Sequence, residues 1–244
     1  MRRAVRAEWT KLRTVPSTAW SLVALVGLTV GIGALAAGTD CVQDRCDAVV
    51  LSLSGVYIGQ LVAVLIAVLA VSAEYDGMLI RTTLATDPRR GTVLAAKAVV
   101  VTALVLGAGG VAVAGSLLAG RGILPAPAPG PTVRAAAGTV LYLGLVALLS
   151  VGIAAVMRQT AAAVTTATAV LYLPLLVTLI VPMSEQTQQR VQRLAPMTAG
   201  LAVQASPEPG RRVPIGPWAG LGVLAGYAAA GTALGYLSIR VRDA

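Results

Sequence analysis

The sequence contains no histidine and no phenylalanine, and only 12% of its 244 residues are charged. Without histidine the chain cannot form a Ser/His triad, a Cys/His dyad or the HExxH zinc site of metalloproteases. It also lacks a GxSxG nucleophile elbow and a GxxxxGK[ST] phosphate-binding loop. Its two cysteines would make a poor metal site. We therefore expect no catalytic residue, no metal and no cofactor bound by this chain itself.

Charged residues are also missing from six long stretches, each 23 to 27 residues long. An α-helix rises about 1.5 Å per residue, so about 20 residues cross a hydrocarbon core of about 30 Å. Lipid offers no partner to backbone polar groups, and the strict alternation of barrel strands is missing here. The expected fold is an all-α integral membrane protein, with one domain over residues 1–244 and six transmembrane helices. The spans are predicted near 17–38, 49–73, 96–119, 135–157, 160–182 and 216–239.

The absence of charge inside these stretches also limits how the chain could drive transport. Proton-coupled carriers and pumps keep ionisable groups within the membrane. A transporter of this kind must therefore take its energy from another protein, or else conduct passively.

The distribution of positive charge predicts the orientation. With the N-terminus in the cytoplasm, twelve Lys and Arg residues lie inside and seven outside. Four of those seven belong to the long segment 183–215, where the positive-inside rule is weaker. We expect a multi-pass plasma-membrane protein with both termini cytoplasmic and with 183–215 extracytoplasmic. The net charge of +9 comes with 17 Arg against 2 Lys, a skew typical of GC-rich codon usage, so no nucleic-acid partner is expected.

Residues 2–15 predict an amphipathic helix that lies in the headgroup layer, in contact with membrane lipids. Val5, Trp9, Leu12 and Val15 share one face, and Pro16 separates this helix from the first span. The alternative is a basic flank with no defined docking. The predicted interfacial residues are Arg6, Trp9, Lys11 and Arg13.

Two further features leave alternatives open. Cys41 and Cys46 lie in the first outer loop, where they are predicted to form a disulfide or to remain as two thiols. Glycines recur at four-residue spacing, which suits helix packing within the chain and, as a minority interpretation, a homodimer seam.

Uncharged polar side chains within the spans are candidates for a substrate path, or for hydrogen bonds between helices. They are Tyr57 and Gln60 in span two, and Thr165, Thr168 and Tyr172 in span five.

The inner loop between spans two and three, 74–92, concentrates charges of both signs beside glycine and proline. It is either a solvated loop that sets orientation or a docking segment for a cytoplasmic partner. The candidate coupling residues are Glu74, Tyr75, Asp76, Gly77, Arg81, Thr82, Arg89 and Arg90.

The segments AEWTKLRTVPSTAW and EYDGMLIRTTLATDPRRGTVLAAK, together with six spans, resemble permease subunits of bacterial, especially actinobacterial, type-2 ABC exporters. The resemblance implies a connecting helix before span one, and a coupling helix after span two, where Glu74 matches the family's acidic residue. It implies two permeases, expected as a homodimer, and two separate ATPase subunits that bind ATP and Mg. It also implies that the segment before span six folds partly into the membrane as a gate.

The expected function is therefore ATP-driven export of an amphipathic or hydrophobic substrate, such as a drug, antibiotic, peptide or lipid. The alternatives are a passive channel and a membrane anchor without transport activity. An intramembrane enzyme is the least favoured reading because the residues for catalysis are missing.

Overall fold

The computed structural model describes residues 2–39, 47–76, 90–124, 129–205 and 215–242. Within these ranges the chain forms helices joined by turns and short connections, with no β-strand, so the all-α prediction is confirmed there. The helices are α1 (Arg2–Thr14), α2 (Pro16–Thr39), α3 (Ala48–Ser52), α4 (Val56–Asp76), α5 (Arg90–Arg121), α6 (Pro129–Met157), α7 (Thr160–Ile180), α8 (Glu185–Leu194), α9 (Pro196–Leu201), a 3₁₀ turn (Ala202–Gln204) and α10 (Pro217–Arg242).

Five of these helices are long and apolar enough to cross a membrane, by length and composition: α2, α5, α6, α7 and α10. Their outward surfaces are strongly apolar, with Trp20 and Leu35 70% exposed and Ile180 76% exposed. Large apolar side chains standing outward on several neighbouring helices are typical of a surface that faces lipid. The described residues thus have the features of a multi-pass membrane protein.

The region of the predicted second span is divided into α3, a turn and α4. Asp47 caps α3 by accepting hydrogen bonds from the amides of Val49 and Val50, at 3.1 and 3.3 Å. Gly55 in the turn presses against α2, since a Cβ there would lie 1.9 Å from the carbonyl oxygen of Thr29. The helix α4 has 21 residues, and its apolar part, Val56–Ser72, is shorter than the five helices above. A sixth span stays a prediction.

The core is organised around α6. In the most apolar 18-residue stretch of α6, 61% is buried within the protein. The corresponding share is 22% in α2, α7 and α10. The helix α10 packs against α6 at a glycine crossing, where a Cβ on Gly152 would lie 2.3 Å from the carbonyl carbon of Gly231. Glycine spacing therefore serves packing within the chain here, whereas Gly27 and Gly31 of α2 face open space.

The connection between α6 and α7 consists of Arg158 and Gln159. Arg158 has a φ of 58° and ends α6 in a left-handed conformation, with its amide bonded to the carbonyl of Ala154 at 2.9 Å. Its guanidinium donates to the backbone carbonyl of Ser238 in α10 at 3.3 Å. The corner is therefore tied to the end of the last helix.

The N-terminal helix α1 turns into α2 at a single residue, Val15, and Pro16 opens α2. Leu12 of α1 is buried in the main core, and Val5 packs against that core. Trp9, one turn after Val5 on the same side of the helix, is nevertheless 46% exposed. The amphipathic pattern thus sets one face of α1 on the protein and leaves Arg6, Trp9 and Arg13 exposed.

The segment before α10 combines an exposed helix with a buried one. Ser184 caps α8 by accepting a hydrogen bond from the amide of Thr187 at 3.4 Å, and α8 buries none of its residues. Pro196 then starts α9, which is almost entirely buried against α6 and α10.

Candidate functional site

A cluster of polar side chains lies in the middle of the helix bundle, where α4, α6, α7 and α9 meet. We call it the central cluster; it consists of Tyr57, Gln60, Tyr142, Tyr172 and Met197. Gln60 and Tyr142 are fully buried, so their polar atoms depend on partners within the protein.

Gln60 is the hub of this cluster. Its amide oxygen accepts a hydrogen bond from the hydroxyl of Tyr142. Its amide nitrogen lies 3.3 Å from the carbonyl oxygen of Tyr57 and 3.4 Å from the sulfur of Met197. One side chain of α4 thus contacts α6 and α9 together with its own helix.

The outer edge of the central cluster lies between α4 and α7. The hydroxyl of Tyr172 donates to the carbonyl of Tyr57, and Tyr57 itself is 39% exposed. The buried amide of Gln60 is therefore connected, through one residue, to a surface formed by two helices. This surface carries aromatic rings and hydroxyls but no formal charge.

Small residues make the central cluster possible. A Cβ on Gly200 of α9 would lie 2.6 Å from the ring of Tyr142, so α9 reaches this ring only with glycine there. The following turn is fixed to α6, because the amide of Gln204 donates to the hydroxyl of Thr139 at 3.0 Å. Arg134 of α6 also donates to the carbonyl of Ala205 at 2.6 Å.

The predicted substrate-path residues are brought together only in part. Tyr57, Gln60 and Tyr172 meet in the central cluster, whereas Thr165 is exposed and bonds to the carbonyl of Ala161 in its own helix at 2.8 Å. Thr168, half-buried, is four residues before Tyr172 on α7 and shares its face.

Tyr142 and Met197 were missed by the sequence reasoning. Tyr142 carried a signal, since it is a hydroxyl-bearing residue inside a charge-free run. Met197 carried none, because it becomes part of the cluster only when α9 folds back against the bundle.

A second buried cluster lies at the base of the bundle, in the last turns of α4 and the first turns of α5. Lys97, two turns into α5, donates to Glu8 of α1 at 2.8 Å and to the backbone carbonyl of Ala70 in α4 at 2.8 Å. Glu8 is 5% exposed and Lys97 is 3% exposed. We call this three-helix junction the basal cluster; it comprises Glu8, Ala70 and Lys97.

Neighbouring contacts extend this junction to α7. The hydroxyl of Thr160, in the first turn of α7, donates to that of Ser72 in α4 at 2.7 Å. Glu8 and Lys97 were not among the predicted site residues. Glu8 is the single acidic residue of α1, and this was the signal that could have marked it.

No protein-family model matches this chain, and no curated protein matches it either. The two clusters are therefore interpreted from their chemistry alone.

Only some of the predicted coupling residues lie within the part of the chain that the structure describes. Glu74, Tyr75 and Asp76 belong to the last turn of α4, and Arg90 is the first residue of α5. Gly77, Arg81, Thr82 and Arg89 lie outside the described residues, as do Cys41 and Cys46.

The predicted interfacial residues all lie on α1. Arg6 and Arg13 are exposed beside Trp9, and Lys11 is half-buried at the edge of a cavity between α1, α2 and α4. Cations and an indole ring on the outer face of this helix are suited to a headgroup layer.

The chemistry of the two clusters differs in kind. The central cluster offers amide, hydroxyl, thioether and aromatic groups, which donate or accept hydrogen bonds and carry no formal charge. The basal cluster joins three helices through an ion pair, which fixes their relative position. Among the described residues there is no group of three or more metal-ligating side chains.

Proposed function

We propose that this chain is the membrane-spanning permease subunit of an ATP-driven ABC exporter in the plasma membrane. It acts with a separate cytoplasmic ATPase, which binds ATP and Mg, and with a second copy of itself. In this proposal α4 supplies the sixth span, and both termini are cytoplasmic.

The observation that carries the proposal is the basal cluster. Its buried ion pair joins α1 to the two helices that flank the 74–92 loop. A force applied to this loop from outside would therefore reach α1, α4 and α5 as one unit. A passive channel or a simple anchor has no need of such a rigid attachment beside a loop.

The helix α4 links the basal cluster to the central cluster. Ala70 and Gln60 are ten residues apart on this helix, which corresponds to about 15 Å along its axis. Closure of two ATPases on ATP would move the base of α4, and the hydrogen bonds of Gln60 would pass this movement to α6 and α9. Export then proceeds by alternation between two packings of the helices.

The uncharged surface at Tyr57 and Tyr172 supports the proposed class of substrate. It lies between α4 and α7, is exposed at Tyr57, and offers hydroxyl and aromatic groups. An amphipathic or hydrophobic molecule can exchange lipid contacts for these groups without the cost of burying a charge.

The test uses the complex of this chain with its P-loop ATPase in proteoliposomes. Glu74→Arg should leave membrane insertion and expression intact, while export and substrate-stimulated ATP hydrolysis fall at least about tenfold. A lost surface ion pair accounts for only about 0–1 kcal/mol, so such a fall indicates docking. The matched control is Glu185→Arg at the start of α8, which should transport normally.

Three outcomes would contradict parts of the proposal: the first contradicts the coupling role of the loop, and the other two contradict the transport function. Normal transport by Glu74→Arg and by an all-alanine replacement of 79–83 would reduce the loop to a topological flank. Conductance by the pure chain would indicate a channel. Binding of the ATPase without stimulated hydrolysis would indicate an anchor.

A further inference from the structure

A cavity of about 280 Å³ lies at the corner where α1 turns into α2, against the last third of α4. We call it the corner cavity. It is roughly twice the size of an apolar cavity of about 150 Å³ that accommodates benzene. It is smaller than most sites for drug-sized ligands, which start near about 300 Å³. Part of one hydrocarbon chain fits a space of this size.

The apolar part of the wall continues onto the outer surface of the protein. Leu12 of α1 and Ile66 of α4 are buried in this wall. Val15 and Leu69 also line the cavity, but they are 40% and 36% exposed and therefore form its rim. Leu65, one turn before Leu69 on the same face of α4, is exposed as well. A hydrocarbon chain can therefore pass from this outer surface into the cavity.

Three hydroxyl groups line the corner cavity from the first turns of α2. They belong to Ser17, which is exposed, and to Thr18 and Ser21, which are half-buried. No hydrogen bond joins these hydroxyls to another described residue. Each hydroxyl can donate one hydrogen bond, and a ligand that displaces water from the cavity has to supply the acceptor.

The two lysines of the wall already interact within the protein. Lys97 donates to Glu8 and to the backbone carbonyl of Ala70, and Lys11 also has a partner within the chain. The hydroxyls and the apolar wall are therefore the groups on which the choice of a ligand depends.

The depth of the hydroxyls in the membrane corresponds to that of lipid ester groups. The 24 residues of α2 form a helix of about 36 Å, compared with a hydrocarbon core of about 30 Å. The first turn of α2, with Ser17 and Thr18, therefore lies near the boundary between headgroups and acyl chains. The ester carbonyls of glycerolipids lie at the same boundary, and they accept hydrogen bonds but donate none.

These features together describe a site for an acyl ester. From the apolar wall, the hydroxyl donors and their depth, we infer that the corner cavity binds one acyl chain of a glycerolipid together with its ester group. The chain lies against Leu12 and Ile66, and the ester carbonyl accepts a hydrogen bond from Thr18 or Ser21. The headgroup stays outside the cavity. Such binding needs membrane insertion but does not depend on ATP-driven export.

The test measures lipid retained by the purified full-length chain in native mass spectrometry. The probe is dioleoyl phosphatidylcholine, compared with its diether analogue, which has the same headgroup and the same chains but no ester carbonyl. We expect the diester to be retained about fivefold better, as one hydrogen bond of about 1 kcal/mol provides. Because the two probes share one headgroup, the charge of the wall does not enter the comparison.

A double variant tests the hydroxyls. Thr18→Val combined with Ser21→Ala removes both half-buried hydroxyls and changes the shape of the wall little. This variant should retain the diether as the unaltered chain does, and the preference for the diester should disappear. The matched control is Thr10→Val, because Thr10 does not line the cavity and its hydroxyl donates to the carbonyl of Arg6 at 2.9 Å. The control should keep the fivefold preference.

A second pair of variants tests the location. Ser21→Phe fills the cavity from α2 and should abolish specific retention of both probes, whereas Val23→Phe, on the outer face of the same helix, should not. The double variant keeps the test decisive if Ser21→Phe fails to fold. Equal retention of the diester and the diether by the unaltered chain would overturn the inference. So would an unchanged preference for the diester in the double variant.

Discussion

The two buried clusters of this molecule both hold helices together, but they do so with different chemical groups. The basal cluster uses an ion pair between Lys97 and Glu8, with both side chains shielded from solvent. The central cluster, about 15 Å away along α4, uses only neutral groups around Gln60. Both join at least three helices, but the basal cluster does so with a charged pair and the central cluster with neutral groups alone.

This difference follows from the cost of charge at different depths. A charged side chain is most expensive at the centre of a bilayer and cheaper near its interface, where water and headgroups are close. An ion pair at the base therefore gives strong, directional attachment at moderate cost. Neutral hydrogen bonds in the central cluster give weaker attachment, which suits contacts that would change in the proposed transport cycle.

The largest effect should come from breaking the ion pair on one side. Glu8→Leu leaves the ammonium of Lys97 buried without its carboxylate, and the free energy of unfolding should fall by about 3–5 kcal/mol. Glu8→Leu combined with Lys97→Met should recover most of this loss, because apolar groups can replace a buried pair at little cost. Reversible unfolding in mixed micelles measures both variants.

Glu185→Leu, which removes an exposed acid of α8, should produce no measurable change in the same assay. If the double variant loses the sum of the two single losses, Glu8 and Lys97 act independently. The contrast between a charged base and a neutral centre would then be wrong.

A smaller effect should come from the hub of the central cluster. Gln60→Leu leaves the buried hydroxyl of Tyr142 without its acceptor and should cost about 1–3 kcal/mol of unfolding free energy. Gln60→Leu with Tyr142→Phe should be more stable than Gln60→Leu alone, because both polar partners are then removed. Unfolding curves of the two variants give the comparison directly, and Tyr227→Phe, on the exposed side of α10, is the control.

The smallest effect should come from the outer edge. Tyr172→Phe removes one hydrogen bond to a backbone carbonyl of a half-buried residue, and hydrogen bonds between membrane helices average about 0.6 kcal/mol. Unfolding free energy should therefore change by less than about 1.7 kcal/mol, the upper end of that range. A loss larger than that of Gln60→Leu would reverse the proposed order from buried hub to exposed edge.

Much of the helical framework could be predicted because charge and hydropathy report it directly. Arg13 and Asp40 bracket an uncharged run, and α2 fills Pro16–Thr39. The run at 48–73 was less informative, because a turn at Gly55 divides it without introducing any charge. Hydropathy shows which residues form an apolar run. It does not show where contact with α2 places a turn within that run.

The candidate sites were less predictable because they depend on contacts between distant residues. Gln60 and Tyr172 were identified as polar groups within spans, but Tyr142 binds Gln60 from 82 positions away. Glu8 and Lys97 are 89 positions apart. Taken separately, each looks like an ordinary solvated charge in the basic segment that flanks a span. Only the tertiary fold shows that these two charges are removed from water together.

The two-residue connection at Arg158 has a consequence for how the protein is made. A corner this short leaves no loop that could cross the bilayer separately, so α6 and α7 should leave the insertion machinery as one helical hairpin. The orientation chosen for α6 during synthesis then dictates that of α7. The last helix, α10, reaches the corner only afterwards, when the carbonyl of Ser238 meets the guanidinium of Arg158. The arrival of α10 thereby secures a hairpin that was inserted before it.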